Sequence, residues 1–193
     1  MNRTAEFINN ILFYGLFVYT ILFATFNKSH EILFIILFPT LFVALAFSWL
    51  VKVKNLNPNF KFILNIGLWL NLLGEVYFFY HFAYYDKIIH FSTSFFVTMI
   101  LYDYLSKEGK VNKIFIFFSV LGLFAAFEIF EYIEMIIFNY PFMGVFDSSG
   151  TMIMPPLDDT MTDLIFACFG SLFCLILKKE KIDKFNKKIL SKI

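Results

Sequence analysis

Arginine is almost missing from this sequence. Arg3 is the only one among 193 residues, so no site here can use the forked guanidinium that grips phosphate or carboxylate in pairs of hydrogen bonds. Cysteine is nearly as scarce. Cys168 and Cys174 share one apolar run and stand six residues apart, a helical spacing that turns them to different faces and excludes an intrachain disulfide and a cysteine zinc site. Charge is thin: 16% of residues carry one, against about 25% in soluble domains. The only basic cluster is a short C-terminal tail with no recognition motif beside it, which excludes nucleic-acid binding. H-E-x-x-H, the paired E-x-x-H of di-iron bundles, G-x-S-x-G and a phosphate-cradling glycine loop are all absent.

What remains is apolar. Hydrophobic residues make up 60% of the chain and aromatics 22%, with a mean hydropathy of +0.73. A helix crosses the hydrocarbon in about 20 residues, and six segments meet that length: 7–26, 31–51, 60–80, 86–105, 113–138 and 158–177. The first lacks a small-residue cleavage site and reads as a retained span, not a signal peptide. Helices satisfy their own backbone hydrogen bonds in lipid. The expected fold is therefore all-α: a polytopic bundle of six transmembrane helices over residues 1–177, with a basic tail over 178–193.

Lysine sets the orientation. Lys52, Lys54 and Lys61 mark the second connection, and Lys107, Lys110 and Lys113 the fourth. Seven lysines follow Leu177, whereas the first connection holds only Lys28, the third only Lys87 at its end, and the fifth none. With an even number of crossings, the positive-inside rule places both termini in the cytoplasm of a plasma (inner) membrane protein. In the tail, Ile182, Phe185, Ile189 and Ile193 recur at helical spacing between lysines. Two readings fit: an amphipathic helix lying on anionic lipid, or a solvated tail that only fixes topology. Gly67, Gly74, Gly122, Ala126, Ala167 and Gly170 are candidates for close helix packing.

Against this background the ionisable residues stand out. A charged group at the bilayer centre costs about 2.5–3.5 kcal/mol on insertion scales. At about 1.5 Å per residue, Glu128 lies roughly 22 Å along its span, some 8 Å below the outer surface of a core of about 30 Å. His90 lies about 6 Å in, Asp163 at a similar depth, and Glu75 about 7–8 Å deep. Four helices thus bring titratable groups to one outward level. Glu128 and Glu131 share a face at i,i+3, as do Asp86/His90 and Asp159/Asp163 at i,i+4. Two carboxylates close together in low dielectric cannot both ionise cheaply, so unless a cation or His90 compensates, Glu128 or Glu131 stays protonated at neutral pH. A bound cation and a proton-sharing site both fit. Each residue also has a structural reading. Asp158, Asp159 and Asp86 sit where helix caps belong, His90 suits a hydrogen-bonded packing role, and Glu134 lies near solvent.

Three elements carry a resemblance. Tyr85-Asp86-Lys87-Ile88-Ile89-His90-Phe91 resembles Y-D-x-x-x-H-F; Ala126-Phe127-Glu128-Ile129-Phe130-Glu131-Tyr132 resembles E-x-x-E-aromatic; Asp159-Thr160-Met161-Thr162-Asp163-Leu164 resembles D-T-x-x-D-[LM]. In that order, over residues 85–175, they are similar to the YjdF-type inner-membrane proteins, and distantly to the VanZ-like proteins with their D-K-x-x-H. Pro155-Pro156-Leu157-Asp158 stands where a glycine-aspartate pair is expected, and the VanZ-like arginine ahead of the last helix is absent. The resemblance implies signature positions at His90, Glu128, Glu131, Asp159 and Asp163, with Asp86 and Glu75 secondary. It implies no reaction.

Three functions fit these residues. The cluster binds a divalent metal ion, a lipid headgroup or another polar ligand, with carboxylates and one imidazole suiting manganese, iron or zinc; a metal-assisted hydrolase or transferase on envelope lipids is its catalytic form. Alternatively the acids relay protons in a small transporter, which at this size and without repeats calls for a homodimer. The third is a scaffold in which the acids only fix helix packing. Membrane lipids are partners in every case. Whether residues 139–157 cover the site is open at this stage.

Overall fold

The computed structural model describes residues 3–26, 59–74, 84–109, 111–138, 143–147, 149 and 151–190. Among these are five helices and one small hairpin: α1 (Arg3–Phe26), α2 (Asn59–Leu73), α3 (Tyr85–Lys107), α4 (Lys113–Phe138), β1 (Val145–Phe146), β2 (Met152–Met154) and α5 (Pro156–Leu190). Three helical stretches are long and apolar enough to cross a membrane: Tyr85–Lys107, Lys113–Ile137 and Pro156–Lys178. These meet the fourth, fifth and sixth expected spans. The first and third correspond to shorter apolar stretches, Phe7–Leu16 and Phe60–Leu73, while 31–51 and Glu75 lie outside the described residues. The hairpin is a correction to the all-α expectation, inside the 139–157 connection whose role the sequence leaves open.

The chain divides into two compact units, Met1–His81 and Phe82–Ile193. In the first, α1 and α2 pair through polar groups that reach across to backbone. Trp69 Nε1 donates to the Leu12 carbonyl at 2.9 Å, and Asn65 Nδ2 to the Asn9 carbonyl at 3.3 Å. Asn9 and Asn65 are both buried.

The second unit is built from α3, α4, the hairpin and α5. Local chemistry sets its boundaries. Gly109, at φ +68°, takes the left-handed position after α3 and donates its N–H to Ser106 at 3.2 Å, a C-terminal stop that a side chain would strain. Asn112 caps α4, its Oδ1 accepting from the Phe115 N–H at 3.1 Å. Pro156 opens α5, where its missing N–H costs nothing. The Asp159 N–H bonds the Pro155 carbonyl at 3.0 Å, so Asp158 and Asp159 lie within the first turn, where their charge faces the positive helix end. Neither is the cap expected from sequence; nor is Asp86, since Tyr84 precedes α3 and makes no side-chain cap bond. The α5 backbone runs unbroken into the basic tail, to Leu190.

α3 and α5 run in the same direction. Lys87 meets Asp163 at one end, Thr98 Oγ1 donates to Ser171 Oγ at 2.8 Å further along, and Lys178 pairs with Asp103 at the other end. α4 runs opposite to both. The packing is inside out relative to a soluble bundle. α3 buries Lys87, His90, Ser94 and Thr98, while α4 exposes Ile114, Phe118, Ile129 and Ile137 at 60–70%. Apolar surface costs nothing against lipid tails, so polar groups take the interior. An apolar core of Tyr102, Ile116, Val120, Phe124, Ala167 and Leu175 fills the rest.

Small residues do what was expected at only some positions. A Cβ on Gly170 would stand 2.1 Å from the Phe91 carbonyl oxygen and 2.2 Å from Ser94 Oγ, so glycine alone lets α3 and α5 touch here. Gly67 and Gly122 have nothing within 4 Å of a built Cβ, and Ala126 is exposed.

Candidate functional site

The starts of α3 and α5 and the second half of α4 converge on one polar cluster. The first turns of α3 supply Asp86, Lys87 and His90; α5 supplies Asp159 and Asp163 one turn apart; α4 supplies Glu128. His90, Glu128, Asp159 and Asp163 are each at most 7% exposed. Glu131 is half-buried one turn beyond Glu128, Asp158 is exposed, and Asp86 is partly open, its side chain 28% exposed.

Lys87 is the centre of the arrangement. It is 2% exposed, and its Nζ lies 2.7 Å from Asp163 Oδ1, 2.8 Å from Asp163 Oδ2, 3.2 Å from Asp86 Oδ2, and against Asp159 Oδ1. On sequence alone Lys87 counts only as the lysine at the end of the third connection. The signal for its true place was the charge balance: four acids at one level, no arginine, and one lysine adjoining Asp86 within the D-K-x-x-H pattern. A buried ammonium with three carboxylate partners satisfies its donors, and its removal would strand them.

His90 occupies the other half. Its Nε2 stands 3.5 Å from Asp86 Oδ1 and 3.7 Å from Glu128 Oε1, beyond the 2.7–3.2 Å of an N–H···O bond. Among the described residues, His90 Nδ1 and Glu128 Oε1 are buried without a hydrogen-bond partner. The ring packs against Phe124 and Phe127, with centroids 5.6 and 6.3 Å away. Donor atoms bound about 2.1 Å from one tetrahedral ion would stand about 3.4 Å apart, which is close to the spacing around Nε2. Asp86, His90 and Asp163 offer three ligand atoms within 4.8 Å of one another.

The hairpin closes over Asp159. Val145 pairs with Met154 and Phe146 with Met152, antiparallel and with an irregularity between. Asp147 ties the turn by accepting from the Ser149 and Thr151 N–H groups, each at 2.9 Å. The Gly144 N–H donates to Asp159 Oδ2 at 2.8 Å, so Asp159 is held by the hairpin on one oxygen and by Lys87 on the other. Gly144 has φ +93°, and a Cβ there would meet the Met154 carbonyl oxygen at 3.0 Å. Part of the 139–157 segment thus lies on the cluster; residues 139–142 are outside those described.

From Lys87 to Asp103, the second ionic layer, is about 24 Å of helix. There Lys178 pairs with Asp103 and lies 5.4 Å from the centre of the Tyr102 ring. Between the layers, Ser94 and Thr98 are fully buried and Gly170 presses on Phe91.

No curated protein and no solved structure matches the chain. YjdF-type proteins belong to the family described as predicted membrane protein (DUF2238), and the distant VanZ-like similarity has no counterpart in these findings. That family's model matches residues 8–182, so the chain belongs to it: a membrane protein of the DUF2238 family.

Proposed function

We propose that the cluster at the start of α3 and α5 binds a divalent cation at the extracytoplasmic side of the plasma membrane. His90, Asp86 and Asp163 are its core ligands, with Glu128 beside them. Asp159 acts by fastening the hairpin, and Glu131 stands one turn removed. The observation that carries this reading is the set of spacings around His90 Nε2: carboxylate oxygens at 3.5 and 3.7 Å, too far for hydrogen bonds and suited to a shared ion. Charge supports it. Asp86, Glu128, Asp159 and Asp163 face a single ammonium, leaving formal negative charge that a cation would balance. The same excess disfavours a phosphate headgroup, because Lys87 is fully engaged. Imidazole plus carboxylate suits manganese, iron or zinc.

A proton relay across the bilayer would need a wet or continuous polar line between the two ionic layers. The close contact of Gly170 with Phe91 and Ser94 leaves no room for water at that point of the α3–α5 seam, which favours a one-sided site. Titration of chelator-stripped protein with Mn²⁺ or Zn²⁺ tests the reading. Saturable binding that His90→Ala abolishes and Thr98→Val leaves intact is expected; equal binding by wild type and His90→Ala would refute it.

A further inference from the structure

The outer edge of the hairpin is apolar although nothing in the bundle requires it. Its inner residues are accounted for: Met143 and Val145 are buried at 7% and 8%, and Gly144 is fastened to Asp159. On the other edge Met152 and Ile153 are 50% and 56% exposed. Water would select polar residues at such positions, as it does in the Asp147–Ser149 turn.

The exposed face of α5 supplies the context. Leu157, Met161, Ile165, Phe169, Phe173 and Ile176 follow one another at steps of three or four residues and are 47–72% exposed, a lipid-facing stripe on a membrane helix. From Leu157 to Ile176 this stripe rises about 28 Å, nearly the full hydrocarbon thickness of about 30 Å. Leu157, its most exposed member, therefore stands at one boundary of the hydrocarbon. Met152 and Ile153 precede it by only a few residues, joined through Pro155. The apolar edge continues the lipid-facing surface into the headgroup level.

We infer that the β1–β2 hairpin is a membrane-interface element, with its Met152–Ile153 edge seated in lipid and its Gly144 edge fastened over the polar cluster. The partner of this edge is the bilayer itself. The cover of the site is then held from two sides, by one hydrogen bond to Asp159 and by lipid around Ile153. This rests on the membrane location of α5 and not on the cation reading.

Spin labelling in phospholipid vesicles tests it. In a Cys168→Ala/Cys174→Ala parent, a nitroxide is placed at Ile153→Cys or, separately, at Met152→Cys, with exposed Glu108→Cys as the aqueous reference. At 152 and 153 the label should be relaxed several-fold more by oxygen, which concentrates in lipid, than by a water-soluble nickel chelate; at 108 the order should reverse. Nickel access at both hairpin positions equal to that at 108 overturns the proposal. Ile153→Trp in the otherwise unaltered chain gives a second reading free of the cysteine substitutions. Its added fluorescence should be quenched by brominated phospholipid and spared by aqueous iodide, and the opposite result overturns the proposal equally.

Discussion

A lysine that is 2% exposed inside a membrane helix bundle is tolerable only because three carboxylates surround it. Removing one member of a buried ion pair typically costs about 3–5 kcal/mol, because the remaining charge is left without compensation. Lys87→Met should therefore destabilise the protein by about that amount, read as a lowered unfolding midpoint in detergent. A loss under about 1 kcal/mol would mean that the acids do not depend on it. Glu128→Gln should behave differently, staying within about 1 kcal/mol of wild type, because Glu128 Oε1 has no hydrogen-bond partner and a glutamine keeps an oxygen for Thr160. A large loss there would favour a purely structural cluster. The sequence made His90, Glu128 and Asp163 legible through depth, since each rise along a helix is fixed by geometry, and Asp159 through its i,i+4 spacing from Asp163. It hid Lys87 because a lysine at a span boundary is normally solvated, and only the charge sum of residues distant in sequence reveals otherwise. Spacing and the E-x-x-E resemblance pair Glu131 with Glu128; in the fold Glu128 is buried and Glu131 half-buried.

Gly170 carries the association of α3 with α5. Any side chain there must displace the Phe91 carbonyl or Ser94, so Gly170→Val should cost about 1–3 kcal/mol by overpacking, and Gly170→Ala part of that. Gly122→Ala is the internal reference: with open space around it, it should be neutral or stabilising by about 0.5–1 kcal/mol through helix propensity. Thermal melts of the two variants side by side check the pair, and equal effects would show that the seam is not close-packed. The length of the apolar runs locates the three spans of the second unit to within a few residues, because apolar length is a strong signal in lipid. It could not rank the glycines, since which one meets a neighbour depends on crossing geometry that no local pattern records. The hairpin escaped for a similar reason: its strands are two and three residues long, too short for an alternation to register.

In the second unit, α3 and α5 run parallel with α4 antiparallel to both, as three successive membrane crossings require. The lysine-rich connection before Lys113 then lies at the end opposite the hairpin. A cysteine at Ser149 should react with an impermeant maleimide added outside cells, whereas one at Glu108 should react only after the membrane is permeabilised. Labelling of both from the same side would contradict the crossing arrangement. We propose that the cluster holds its cation on the extracytoplasmic side, where the ion should exchange with the external medium.

That claim is tested most directly by the metal content of purified protein. Wild type prepared with manganese, iron and zinc present should carry close to one transition-metal ion per chain. The folded Glu128→Gln/Asp163→Asn variant should carry almost none. Equal metal in both, or none in either, would contradict the account.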